Sequence, residues 1–198
     1  MKYLILSVVL IMFNQSGLAK TPKACDYSFD MDNSVIEGTG FKYTEKTGVA
    51  GTFSGFKLNK TESKKNPKEL LNDLVVTVEL MTLDSGNTIR DKNMRETLFA
   101  GVLGDSVATV SVKKVSDKKI SAEFKINEKT QNIDFDYSLK NDVMTATGKF
   151  DAMKFALGDQ IAALKKRCGS LHTGSDGKSV TWTEFDLKVT AKLKKNCK

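Results

Sequence analysis

The sequence predicts an all-β fold, a single eight-stranded antiparallel up-and-down barrel flanked by one or two short helices. Three observations support this. Apolar and polar residues alternate with a period of two along several segments, which gives each strand one dry and one wet face. Most links between these segments have the length of hairpin turns. The segments number eight, and eight strands with one dry face each can close into a barrel without exposed edges.

The alternation is clearest in four segments and weaker in four others. The clear segments are 74–80, 120–126, 133–139 and 185–193. The weaker ones are 33–43, 48–58, 106–114 and 142–151. Hairpin-length links are predicted at Ser116-Asp117, Glu128-Lys129 and Asn141-Asp142. An eight-stranded sandwich is the alternative, but sandwiches usually need crossovers between their sheets, whereas nearly all links here join adjacent strands.

Two segments have helical spacing of their apolar residues. The first covers 90–99, where Ser85 or Asn87 can cap the helix and Asp91 suits its first turn. The second covers 152–166, has basic residues at its end, and is expected to stop at Gly169. Both helices are predicted to cap or flank the barrel.

The first 19 residues have the composition of a secretory signal peptide. A positive start and an apolar core precede small residues at Ser16-Gly17-Leu18-Ala19, and the core is too short to cross a bilayer. We therefore predict a signal peptide at 1–19, one barrel domain at 20–198, and export to the periplasm, with secretion as an alternative.

The chain is basic, with a formal net charge of +7. Lysines on the wet faces of strands explain this charge through solubility alone. A second interpretation is peripheral contact with an anionic membrane, which attracts basic residues. Nucleic acid is a poor partner, because the lysines are scattered and not clustered with aromatic residues.

Three cysteines lie outside the predicted signal peptide, Cys25, Cys168 and Cys197, and in an oxidising compartment two of them are expected to pair. Composition alone does not choose the pair. A closed barrel places its first and last strands side by side and antiparallel, which favours Cys25 with Cys197. Cys168 and His172, with Cys197, form a weak alternative metal site, which we do not favour because Gly169 interrupts the helix between them.

Several short motifs together resemble the YceI-like family of periplasmic polyisoprenoid-binding proteins, and the resemblance covers essentially the whole chain after residue 19. The motifs are Gly48-Val49-Ala50-Gly51-Thr52-Phe53, then Asp84-Ser85-Gly86-Asn87 with Arg90-Asp91 and Phe99, then Gly148-Lys149-Phe150-Asp151, the run 155–164, and Cys168 with His172-Thr173-Gly174 and Thr181-Trp182. The resemblance implies a lipocalin-like barrel that holds an isoprenoid or another lipid, without a cofactor or catalysis. It also implies that the protein can form a homodimer.

The dry faces of the strands, with Phe99 from the first predicted helix, supply the predicted lining of the ligand site. These residues are Phe53, Val76, Val78, Phe99, Val110, Phe124, Phe135, Tyr137, Phe150 and Leu187. Arg90 and Tyr137 are the candidates for contact with a polar headgroup, since a phenol on an apolar face needs a partner when it is buried. The alternative is that these side chains fill the barrel completely.

Two further hypotheses compete with lipid binding. In one, the barrel is filled and its basic outer face binds a partner in the cell envelope. In the other, His172 and a nearby acid catalyse hydrolysis or isomerisation of a bound lipid. We favour a protein that is not an enzyme and has no metal site, because the chain has one histidine and no phosphate-binding loop or nucleophile elbow.

Overall fold

The computed structural model describes residues 24–197, and the predicted signal peptide at 1–19 lies outside them. Ten strand segments and two α-helices make up most of the described chain. The strands are β1 (Cys25–Lys42), β2 (Thr47–Phe53), β3 (Phe56–Leu58), β4 (Val75–Glu79), β5 (Leu83–Asp84), β6 (Val107–Val115), β7 (Lys119–Ile126), β8 (Lys129–Lys140), β9 (Val143–Asp151) and β10 (Glu184–Cys197). The helices are α1 (Thr88–Met94), which continues as a π-helix over Arg95–Phe99, and α2 (Gly158–Cys168).

All the strands belong to one antiparallel sheet that curls around the core. Its hydrogen-bonded order is β3-β4-β6-β7-β8-β9-β10-β1-β2-β5. Only two residues separate β2 from β3, and a short 3₁₀ turn, Leu80–Thr82, separates β4 from β5. Because β2 pairs with β5 and β3 pairs with β4, the two ends of this order are joined through the chain itself. The sheet is therefore a barrel of eight chain passes, two of which are bent.

The predicted all-β barrel is confirmed, and the sandwich alternative is wrong because the strands form one continuous sheet. Two details differ from the prediction. The passes at 48–58 and 74–84 are each broken, which gives ten segments instead of eight. The first strand begins at Cys25, well before residue 33, and its pairing with β10 shifts register between Asp30 and Val35. That irregularity interrupts the alternation on which the prediction of the strand depended.

The helix predicted at 90–99 is present, and the Asn87 side chain caps it by accepting a hydrogen bond from the Arg90 amide. The continuous helix predicted at 152–166 is wrong. Its first part is a separate 3₁₀ turn, Ala152–Phe155, which ends at Ala156 in the left-handed conformation with φ of 54°, and α2 begins only at Gly158. Gly169 ends α2 without a left-handed cap, since the chain continues into a 3₁₀ turn over Gly169–His172.

The up-and-down path gives the barrel two different ends. One end, here called the helical end, carries the turn at 43–46, the segment 85–106 with α1, the turn at 127–128 and the segment 152–183 with α2. The opposite end, here called the terminal end, carries the start of β1, the end of β10, the turns at 116–118 and 141–142 and the loop at 59–74. None of the helices within residues 24–197 is long and apolar enough to cross a bilayer.

An aromatic cluster completes the wall between β8 and β9. These strands pair only from Asp136–Thr147 to Lys140–Val143, so they separate toward the helical end. Phe155 is buried at this point, and its ring lies 4.7 Å from that of Phe150 and 5.6 Å from that of Phe124. The Asn127 side chain holds the turn in place by donating to the Phe155 carbonyl at 3.0 Å. The 3₁₀ turn therefore seals the wall where backbone pairing ends.

The predicted disulfide is present and joins Cys25 to Cys197 across the first pair of the β1–β10 ladder. It links residues 172 apart in sequence, next to the ladder that closes the barrel. A cross-link over so long a loop restricts the unfolded chain strongly.

Replacing both Cys25 and Cys197 with serine is expected to lower the free energy of unfolding by about 2–5 kcal/mol, because the unfolded chain regains the entropy of the open loop. Urea denaturation of the oxidised protein and the variant measures this difference. Cys168→Ala is the control, since it removes the remaining thiol and keeps the disulfide. Equal unfolding free energies for the double variant and the unchanged protein would contradict the prediction.

Candidate functional site: an apolar tunnel in the barrel

The barrel interior contains a cavity of about 180 Å³ toward the helical end, here called the upper cavity. Side chains that face it from β1, β2 and β10, such as Ile36, Phe53 and Leu187, keep part of their surface accessible, whereas those of β7 and β8 are buried. The empty space therefore lies against β1, β2 and β10. Its apolar lining includes Ile36, Val49, Phe53, Val76, Val78, Leu80, Leu83, Met94, Leu98, Phe99, Val102, Ala108, Val110, Phe124, Ile126, Phe135, Phe150, Ala152, Leu157, Phe185, Leu187 and Val189.

Inward-facing glycines leave this space open. Gly38 and Gly40 occupy successive inward positions of β1, alternating with Glu37 and Thr39, which line the outer surface. A Cβ atom at Gly38 would meet the Phe53 ring at an ordinary 3.5 Å, and one at Gly40 would meet Phe185 at 3.1 Å. Leucine-sized side chains at these positions would project into the cavity.

A second apolar cavity of about 100 Å³, here called the lower cavity, lies toward the terminal end. It is lined by residues such as Phe29, Leu74, Ile120 and Met144. Five residues line both cavities and form a narrow waist between them: Ile36, Val76, Val110, Phe135 and Val189. The two apolar cavities are therefore neighbours along the barrel interior, separated by the waist, and together they are called the tunnel here.

A larger, partly polar chamber of about 550 Å³, here called the mouth chamber, lies at the helical end. It shares Gly40, Val49, Met94 and Phe185 with the upper cavity, so the two are adjacent. Its charged lining residues are Lys42 and Arg90, and among the described residues that line it none is an aspartate or glutamate. The chamber thus offers positive charge beside an apolar tunnel.

A hydrogen-bond network fixes Arg90 in the chamber wall. The guanidinium Nε donates to the Ser85 hydroxyl at 2.7 Å, and Nη2 donates to the Ser85 carbonyl at 2.7 Å. Ser85 is held in turn by the buried Asp91 carboxylate, which accepts from its amide at 3.1 Å and from its hydroxyl. The predicted headgroup candidate is thus held in position by its neighbours. Its contact with a headgroup stays a prediction.

The segment after α2 forms the opposite side of the chamber. Trp182 donates its indole N–H to the Tyr43 carbonyl at 2.8 Å, and the Lys46 ammonium lies 4.7 Å from the Trp182 ring centre. His172 Nδ1 lies 2.6 Å from the Thr181 hydroxyl. Burial, with a smaller contribution from Lys42, lowers the pKa of His172, which favours the neutral ring. Its hydrogen-bond partner is a hydroxyl and not the carboxylate that the catalytic hypothesis needs.

Nine of the ten predicted lining residues face the upper cavity: Phe53, Val76, Val78, Phe99, Val110, Phe124, Phe135, Phe150 and Leu187. The exception is Tyr137, which lines neither cavity. Its hydroxyl donates to the Ser116 carbonyl at 3.0 Å near the terminal end, so the protein itself satisfies the phenol and Tyr137 is not placed to meet a headgroup.

The alternative metal site is wrong in its composition, because Cys197 is bonded to Cys25 at the terminal end while Cys168 and His172 line the mouth chamber. Within residues 24–197, no three histidine, cysteine, aspartate or glutamate side chains are grouped as metal ligands. Burial raises the pKa of the Cys168 thiol, which keeps it protonated.

The lining prediction missed the glycines and the chamber wall. Gly38 and Gly40 carry a visible signal, since a strand with glycine at two successive inward positions leaves a gap in its dry face. The chamber wall carries no such signal, because Phe41, Ile89 and Leu171 come from three separate segments that only the fold brings together.

Comparison with known proteins gives a family and a fold. The YceI-like domain model matches residues 27–193. A polyisoprenoid binding domain from Saccharophagus degradans, described as implicated in plant cell wall breakdown, aligns with a TM-score of 0.58 at 16% identity, over 87% of this chain and 99% of that one. BcnA from Burkholderia cenocepacia aligns with a TM-score of 0.56 at 13% identity, over 84% of this chain and 99% of its own. At these identities the likeness shows the fold alone. No curated protein matches the chain.

The lowered pKa of His172 predicts a stability that depends on pH. The folded state binds fewer protons than the unfolded state near the ordinary histidine pKa, so this contribution is present above about pH 6.5 and is lost as the pH falls through that value toward the lowered pKa. Thermal unfolding midpoints are expected to fall less between about pH 7.5 and about pH 5.5 in His172→Gln than in the unchanged protein.

Thr181→Val is the control for this measurement, because it removes the hydroxyl partner of His172 and keeps the titrating ring. An identical pH dependence in His172→Gln and the unchanged protein would show that His172 does not contribute.

Proposed function

We propose, since the chain belongs to the YceI-like family, that it binds a long apolar ligand, a polyisoprenoid or another lipid, inside the barrel. The observation that carries the proposal is the apolar tunnel itself, which the upper and lower cavities form along the barrel. The similar domain from Saccharophagus degradans is described as polyisoprenoid binding, which supports the same ligand class here. A completely filled barrel with only an outer binding face agrees less well with two apolar cavities inside the barrel.

The hydrophobic effect supplies the binding energy. Burial of apolar surface is worth about 0.8 kcal/mol per CH₂ group, so each five-carbon unit that is fully removed from water contributes about 3–4 kcal/mol. Immobilising the chain offsets part of this gain. Tight binding therefore needs no specific polar contact, and a few units in the tunnel suffice.

The size of the tunnel limits what fits without movement of the protein. The volume of the upper cavity, about 180 Å³, is similar to that of an engineered apolar cavity of about 150 Å³ that binds benzene. A short segment of chain fits this volume, and the waist at Ile36, Val76 and Val110 blocks the path to the lower cavity. A longer chain must displace waist side chains through rotamer changes. The waist thus sets the length that the protein accepts.

The mouth chamber is the place for the polar end of the ligand. Arg90 is held by Ser85 beside the tunnel entrance, and Lys42 lines the same chamber. Two positive charges without an acid on the described chamber wall favour an anionic or strongly polar headgroup. Arg90 is the residue that we assign to this contact.

The barrel acts in this proposal as a carrier or store in the cell envelope and not as an enzyme. The expected compartment is the periplasm, and the Cys25–Cys197 disulfide is consistent with an oxidising environment. The ligand is the only small molecule that the function requires, without a separate cofactor. A homodimer and contact with an anionic membrane are compatible with the same role.

Organic extraction of protein purified without detergent is expected to release an apolar molecule that mass spectrometry identifies. Gly38→Leu should reduce both the recovered ligand and the binding of a fluorescent apolar probe such as N-phenyl-1-naphthylamine by at least about tenfold, since the new side chain fills the upper cavity. Thr39→Leu is the matched control, because the next residue of β1 faces the outer surface. An empty extract and unchanged probe binding in Gly38→Leu would exclude the proposal.

Ile36→Ala is expected to join the two cavities and to shift the extracted ligands toward longer chains. The truncation removes a side chain from the waist, so the tunnel becomes continuous. Comparing the chain-length distributions by mass spectrometry tests this, with Val35→Ala as the control because Val35 points out of the barrel. A distribution that stays the same would show that the waist does not limit ligand length.

A further inference from the structure

Exposed apolar side chains are concentrated at one end of the barrel. Six large hydrophobic residues are prominently exposed in the described part of the chain, and four of them lie on helices and loops of the helical end: Ile89, Leu103, Met153 and Leu171. The two most relevant are Ile89 in α1, which is 71% exposed, and Leu171 in the 3₁₀ turn after α2, which is 58% exposed. The terminal end, as far as the structure describes it, has no residue of this kind.

Ile89 and Leu171 flank the opening that leads to the tunnel. Both line the mouth chamber, and they come from the two helical segments on its opposite sides. An apolar ligand that leaves the upper cavity through the mouth chamber enters the space that these side chains line. Single exposed hydrophobic residues are ordinary on protein surfaces. Exposed hydrophobic residues that share the opening of an apolar cavity are typical of a surface that contacts another apolar partner.

Two amphipathic aromatic residues lie at the same rim. Tyr43 and Trp182 are half-buried and line the chamber. Each combines an apolar ring with one polar group, the hydroxyl of tyrosine or the indole N–H of tryptophan. Such amphipathic aromatic residues favour the level of lipid headgroups. The Lys46 ammonium lies over the Trp182 ring and pairs with Glu184 at 2.6 Å, so it adds no net charge to the rim.

Basic residues lie on the part of the rim formed by α1 and α2, whereas Glu45 and Asp176 lie on the part beside Tyr43. Lys42 and Arg90 line the chamber, and Lys165, Lys166 and Arg167 form the exposed end of α2 shortly before Leu171. Arg167 is paired with Glu96 at 3.1 Å, so its contribution is reduced. Each basic residue close to an anionic bilayer adds favourable energy.

From these observations we propose that the helical end docks on the surface of an anionic lipid bilayer, with Ile89 and Leu171 inserted and Trp182 at the headgroup level. In this position the mouth chamber opens directly onto lipid. An apolar ligand then moves between bilayer and tunnel without exposing its chain to water, which removes the main cost of the transfer. Docking is a property of the outer rim and goes beyond ligand binding inside the barrel.

The single tryptophan of the chain is a built-in probe for this orientation. Adding vesicles of phosphatidylcholine with phosphatidylglycerol is expected to shift the Trp182 emission to shorter wavelength. Lipids brominated on their acyl chains should quench that emission. Both effects require Trp182 to reach the lipid, which only the helical-end orientation provides.

Ile89→Ser and Leu171→Ser are each expected to weaken vesicle partitioning by about tenfold, because each removes one inserted apolar side chain. Val35→Ser is the matched control: Val35 is 42% exposed, lies on the side wall of the barrel and should leave partitioning unchanged. All three positions are exposed, so the fold is retained, which circular dichroism checks.

Two outcomes would overturn the proposal. One is the absence of binding to these vesicles. The other is salt-sensitive binding without a change in Trp182 emission, lost on charge reversal of Lys140 and Lys192, because those lysines lie at the terminal end and would place the opposite face on the bilayer. The assay needs no ligand in the barrel, so failure of docking leaves the proposed ligand binding to be judged by extraction.

Discussion

The pairing that returns the last strand to the first is the interaction on which the rest of the structure depends. β10 pairs with β1 from Cys25–Cys197 to Thr39–Asp186, and β1 pairs on its other edge with β2. With both edges used, no strand edge along this wall is left for another chain. The closed ladder also fixes which residues point inward, since a slip of one residue would turn every side chain to the other face. Inward glycines, the waist and the tunnel all follow from this register.

The barrel interior is packed tightly on one wall and loosely on another, and the loosely packed side leaves room for a ligand. On one wall, the buried rings of Phe124, Phe150 and Phe155 contact each other, and those of Phe150 and Phe155 are stacked. On another wall, Gly38 and Gly40 have no side chains to fill the space in front of Phe53 and Phe185. An empty apolar cavity loses dispersion energy, so the aromatic wall and the disulfide stabilise a barrel that is not filled by its own side chains. A ligand chain in the tunnel would restore the missing contacts.

The two ends of the barrel differ because the connections differ. Apart from the loop at 59–74, connections at the terminal end are short turns such as Asn141-Asp142, where both residues have the positive φ that a type I′ turn requires. At the helical end, the long segments 85–106 and 152–183 carry α1 and α2 and build a chamber over the tunnel. Arg90, Trp182 and the exposed Ile89 and Leu171 all belong to these segments. The residues proposed to contact a headgroup or a membrane therefore lie at the helical end, on its two long connecting segments.

Local alternation in the sequence determined the barrel, because a period of two can be read from neighbouring residues without knowing where they end up. It placed Phe53, Val110 and Phe135 on inward faces, and the order of the strands was enough to pair Cys25 with Cys197. Only the tertiary structure decided which inward residues border empty space. Tyr137 and Phe135 both belong to the apolar set of β8, yet the Tyr137 hydroxyl donates to the carbonyl of Ser116 in the turn between β6 and β7. The chamber likewise joins residues far apart in sequence, and such contacts depend on how loops fold over the barrel, which no local pattern encodes.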